Sequence, residues 1–119
     1  MDRPKDIQGL IEGLKTKNRQ LGEKNDDLKD LSEKKAQFDR DYKIAYAREV
    51  MNLKLEKESV TLIPSLAKGD KVVAELCYKA DVADGVYRAC QEKIKDIRTH
   101  IDTYRTLLSW EKAEFLRTE

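Results

Sequence analysis

His100, Cys77 and Cys90 are the side chains best suited to metal or nucleophilic chemistry, and their spacing supports neither. A helix-borne metal pair needs a second ligand three or four residues away, and no His or Glu stands there around His100. The two cysteines lie 13 residues apart on one predicted helix. At 1.5 Å per residue that separates them by on the order of 20 Å, too far for a disulfide within the helix. They read as reduced thiols in the packed interior. No Cys-x-x-Cys, phosphate-binding glycine loop or Gly-x-Ser-x-Gly occurs. Asp26, Asp27, Asp30 and Glu33 supply carboxylates, but interleaved lysines mark them as solvated helix faces rather than an acid/base dyad. The expectation is a protein that is not an enzyme and needs no cofactor, metal or small-molecule substrate.

Nucleic-acid binding is the sharper chemical possibility. Single-strand binders line a groove with cations and offer aromatic rings for base stacking. Lys68, Lys71 and Lys79 cluster around a predicted connection, and Lys43 and Arg48, with Arg40, flank Tyr46. Trp110 stands near Arg105, Lys112 and Arg117. The overall balance is near neutral, with 24 Lys and Arg against 23 Asp and Glu and a formal net charge of +1. That argues against strong nonspecific attraction to polyanions and leaves a local basic face as the route to one.

The elements that must position these residues are helices. From Val73 to Phe115 the apolar residues Val73, Leu76, Ala80, Ala83, Tyr87, Cys90, Ile94, Ile97, Ile101, Tyr104, Leu108 and Phe115 alternate in steps of three and four, with Glu111 the one interruption. This is a heptad seam, which asks for a facing helix. A weaker seam precedes it: Ile7, Leu14, Leu21, Leu28 and Tyr42 on one register, and Leu10, Leu31, Phe38 and Ala45 on the other. Lys17, Lys24 and Lys35 interrupt it, and Gly9, Gly13 and Gly22 each weaken a helix by about 1 kcal/mol relative to alanine. Between the seams, Ser59-Val-Thr-Leu-Ile-Pro64 breaks the helix. Ser65 to Lys68 could make one turn, with Gly69 at its C′ position and Asp70 as N-cap of the second long helix.

The predicted fold is therefore all-α: a single domain over residues 1–119, forming a long antiparallel helical hairpin. One helix spans about 5–58, a connection about 59–70, and a second helix about 71–117. A register follows from aligning the seams. It sets Leu14 against Phe115, Leu21 against Leu108, Leu28 against Ile101, Phe38 against Cys90 and Tyr42 against Tyr87, and it lets Lys17 meet Glu111.

The hairpin leaves apolar surface unused. Ala74, Tyr78, Val82, Gly85 and Ala89 form a second stripe on the later helix, and Ile44, Ala47, Met51 and Leu55 an extra set on the earlier one. A helix apolar on more than one side is buried on more than one side. Gly85 lies off the seam, where close approach of another backbone would justify it. These residues are the expected interface of a homo-oligomer, a helical bundle, or the seat of a partner. No apolar run approaches membrane length, and the start of the chain has no apolar stretch of a secretory signal, so a cytoplasmic protein that does not bind membrane is expected.

In Tyr42-Lys-Ile-Ala-Tyr-Ala47, Leu66-Ala-Lys-Gly-Asp70 and Val73-Ala-Glu-Leu76, followed by Ala80, Ala83, Tyr87 and Ala89, the chain resembles small tailed-phage proteins described as UvsY-like recombination mediators. The resemblance covers roughly Tyr42 to Trp110. It implies a non-catalytic, oligomeric accessory protein in the cytoplasm of an infected or lysogenic bacterial host. Such proteins bind single-stranded DNA and help load a recombinase. By carry-over, Lys43, Arg48, Lys68 and Lys71 are the residues implied in DNA contact. The alternative is a coiled-coil interaction module, an adaptor, assembly factor or inhibitor of a host protein, with no nucleic-acid binding.

Overall fold

No proline falls between Pro4 and Pro64, and helix-forming residues fill the interval, so the first helix runs unbroken. The structure, a computed structural model, describes residues 3–118. Three helices occur among them: α1 (Arg3–Leu55), α2 (Ile63–Gly69) and α3 (Lys71–Thr118). The all-α expectation holds, and the long helices lie close to their expected bounds. The chain forms two compact units, one running up to Leu28 and resuming at Cys90, the other Lys29–Ala89. Each is an antiparallel pairing of an α1 segment with an α3 segment.

In the first unit the core belongs to α3. Cys90, Ile94, Ile97 and Ile101 are buried, at the seam positions expected for them. Their α1 neighbours Leu10, Leu14, Leu21 and Leu28 are only half-buried, as are Lys17 and Lys24. Lysine stems can lie along apolar surface while the ammonium stays in water, which lets these positions cover the isoleucines. The Cys90 thiol points at the carbonyl of Lys24, with Sγ to O at 3.5 Å. Gly13 forms a notch for Tyr104: a Cβ there would stand 2.6 Å from Cε1 and Cζ of the ring.

In the second unit the core sits where α2 meets the end of α1. Leu53, Ile63 and Ala67 are buried together, and Tyr46 and Val50 pack on them. On α3, Val73 and Ala83 are buried and Leu76, Ala80 and Tyr87 half-buried, again on the expected seam.

The expected register is corrected in both units. In the first, Leu108 and Phe115 gather with Ile7, not with Leu21 and Leu14. In the second, Tyr42 lies beside Cys77 rather than Tyr87, and the Tyr87 ring instead receives the Lys35 ammonium 5.9 Å from its centroid. The physical reason is α2. It is two turns long, and it covers the side of α1 that carries Tyr46, Val50 and Leu53. The start of α3 must therefore pair with an earlier part of α1. The shift also parts Lys17 from Glu111. With Gly13 against Tyr104, the two lie roughly 16 Å apart along the helix axes at 1.5 Å per residue.

Helix termini follow their cap chemistry with one correction. Asp70 is the N-cap of α3 as expected, its Oδ2 accepting from Val72 N and Val73 N at 3.1 Å each. Gly69 is not a left-handed C′ residue: α2 runs through it, and no glycine among the described residues has positive φ. The left-handed residue is Lys57, at φ 63°. Glu58 N donates to Leu53 O at 3.1 Å and Lys57 N to Lys54 O at 3.0 Å, the paired bonds of a Schellman motif closing α1. Lysine at this C′ position carries a Cβ penalty that glycine avoids. Lys57→Gly should therefore stabilise the fold by about 1 kcal/mol and raise the thermal midpoint by about 4 °C, read by circular dichroism melting. A lowered midpoint would contradict this account of the α1 terminus.

Candidate interaction surface

The four cations implied in DNA contact are all exposed, but they do not converge. Lys43 is held by Asp39 in an i,i+4 ion pair at 3.0 Å. Arg48 is five residues further on, about 140° around α1 from Lys43. Lys68 is in the last turn of α2 and Lys71 is the first residue of α3. Asp70, between them in sequence, spends its carboxylate on the α3 cap. Tyr46, the aromatic expected among these cations, is half-buried. It packs against the α2 core, with the Tyr42 ring at a centroid distance of 6.1 Å, so its ring is part of that packing rather than an open stacking platform. Trp110 and His100 are exposed in the other unit.

The expected oligomer residues divide into two groups. Tyr78 and Val82 on α3 line an apolar groove of about 270 Å³. Its other walls are Leu31 and Phe38 from α1 and Ala83 and Val86 from α3, with Lys34 and Lys79 at the rim. Ala74, Gly85 and Ala89 are exposed along the same helix. A Cβ at Gly85 would meet nothing within 4 Å, so no backbone of this chain approaches it. Ile44, Ala47, Met51 and Leu55 are exposed on α1. Ile44 points about 200° around α1 from Tyr42, so this set faces away from α3 and takes no part in the groove. The stripe on α3 was legible from its spacing. The contributions of Leu31, Phe38 and Val86 were not: two belong to the seam, and Val86, four residues after Val82, signals itself only once the groove is seen. Val60, Leu62, Leu66 and Val72, at and beside the connection, are also exposed.

The opposite side of this unit is charged. Asp84 accepts from Arg88 at 3.1 Å and pairs ionically with Lys35 at 3.8 Å, with Asp39 and Asp81 nearby. Exposed pairs of this kind contribute little, about 0–1 kcal/mol each. Beside them Tyr42 neighbours Cys77, whose thiol is directed at Asp81 Oδ2, 3.9 Å away. Both cysteines are free thiols; Cys90 is buried as expected and Cys77 half-buried. Asp26, Asp27, Asp30 and Glu33 are exposed, Asp27 pairing with Lys24 at 3.4 Å. Among the described residues no three His, Cys, Asp or Glu side chains come together as a metal site, and no helix is long and apolar enough to cross a membrane.

No protein-family description matches the chain, and no curated protein or solved structure does.

The Tyr42 hydroxyl titrates above its ordinary value near 10, first because burial disfavours the phenolate, then through Cys77, Tyr46 and Asp81. A raised pKa in the fold means the native state holds this proton longer than the unfolded chain does. The contribution is whole below about pH 10 and is lost as pH rises through the folded value. In thermal melts above pH 10, Tyr42→Phe should flatten the fall of the midpoint with pH. An unchanged slope would place Tyr42 in water.

Proposed function

We propose that this chain is a non-catalytic protein-interaction module, an adaptor or assembly factor, that works through the Lys29–Ala89 unit. One observation carries this reading: large apolar side chains are left exposed mainly there. Of the fourteen such residues among those described, ten fall in that unit, Ile44, Met51, Tyr78 and Val82 among them. Isolated exposed apolar residues are ordinary, but three in successive turns of one helix, beside a groove, mark a contact surface. Within this reading the cover over this surface is either a different protein or a second copy of the chain.

The second reading is the mediator-like one, an oligomeric phage protein that binds single-stranded DNA or a recombinase. The observation in its favour is that Arg48, Lys68 and Lys71 are exposed and, among the described residues, make no ion pair.

Site-specific photo-crosslinking separates these readings. A photoreactive residue replacing Tyr78 should give a discrete protein adduct in a bacterial lysate, and the same residue replacing His100 should give none. An adduct between two copies of the chain also supports the first reading. Absence of any protein adduct at 78 would overturn it. Binding of a labelled single-stranded oligonucleotide at low salt, weakened by Lys68→Glu with Lys71→Glu, would establish the second reading, and no binding would remove it.

A further inference from the structure

The groove between Leu31 and Phe38 of α1 and Tyr78, Val82 and Val86 of α3 has a chemistry that selects its occupant. Tyr78, Val82 and Val86 follow one another at four-residue spacing on α3, yet remain 64%, 47% and 46% exposed. They form one edge of a trough whose floor is apolar. The rims are basic: Lys34 stands on the α1 side and Lys79 on the α3 side. Both are exposed, and among the described residues neither makes an ion pair. A second depression on α3 shares Lys79 and is bordered by Lys71, with Val72 and Leu76 between them and Glu75 as its one carboxylate. From Lys71 to Val86 this surface extends about 22 Å along α3, the length of about four helical turns.

Three occupants can be compared by charge and shape. A second copy docking through this same face would bring lysine rims toward lysine rims. A single-stranded nucleic acid would find the cations but little to stack on: Phe38 is half-buried in the floor, Tyr78 alone is an exposed ring, and the remaining walls are aliphatic. An amphipathic helix with apolar residues at i, i+4 and i+7 and carboxylates on both flanks satisfies floor and rims together, the helix-in-groove mode of recognition. We infer that this groove is the docking site for an acidic amphipathic helix of a partner protein. The inference rests on the interaction-module reading and names the partner's chemistry.

Two synthetic helical peptides of 16 residues test it. They share one Leu/Phe stripe and differ only in carrying Glu or Lys on the flanks. Fluorescence anisotropy with the full chain should show the Glu-flanked peptide binding at least 10-fold more tightly at low salt. Lys34→Glu with Lys79→Glu should reverse that preference, and Val82→Asp should weaken both peptides. These positions are exposed, and a circular dichroism melt of each variant is the check that it folds. Equal affinity for the two peptides, a preference that survives charge reversal, or no binding of either overturns the inference. So does an oligonucleotide that displaces the bound peptide, or a dimer in light scattering that Val82→Asp dissociates. A protein adduct at position 78 without the charge preference would defeat this inference and leave the interaction-module reading standing.

Discussion

The packing of Ala67 and Ile63 against Leu53 constrains the rest of the chain. Ala67 is wholly inaccessible, and Tyr46 and Val50 close the same cluster. The small side chain at 67 lets α2 lie close to α1, and burying the isoleucine and leucine contributes roughly 1.5–3 kcal/mol each. Once α2 holds the last turns of α1, α3 cannot use them. Its first turns fall beside Tyr42, where Cys77 meets the phenol. Asp70, capping α3 immediately after α2, keeps the joint between them short.

A heptad seam by itself does not select one register. Shifting two such seams by seven residues restores nearly the same apolar contacts. The features that break this degeneracy are singular ones. Gly13 is the notch that admits the Tyr104 ring, Lys35 stands over Tyr87, and the Cys90 thiol meets the Lys24 carbonyl. These local matches, with α2, discriminate between alignments that the leucines and isoleucines treat as equivalent.

This explains what could be read from the amino-acid order and what could not. The helices, the break before Pro64, the Asp70 cap and the buried line from Val73 to Ile101 follow from periodicity and cap chemistry. Those are local properties. The register was not legible, because aligning the two long seams takes no account of a short helix competing for one of them. The Ser65–Lys68 turn hinted at α2 but understated it. Likewise, the helix terminus at Lys57 was hidden because lysine there carries none of the glycine signal of a left-handed cap. At the surface, the Tyr78–Val82 stripe was visible as spacing. The groove beside it needed the register to bring Leu31 and Phe38 into place.

The register also determines which side of the Lys29–Ala89 unit is apolar and which is charged. Asp84 draws Lys35 and Arg88 to one side, leaving Lys34 and Lys79 to border the other. Cysteine cross-linking measures it directly, in a chain where Cys77→Ser leaves Cys90 as the one native thiol. With Lys24→Cys added, mild oxidation of the dilute monomer should yield an intrachain disulfide to Cys90, detected by mass spectrometry. Phe38→Cys in the same background, the partner that the seams alone would assign to Cys90, should remain reduced. A disulfide from position 38 and none from position 24 would contradict the account.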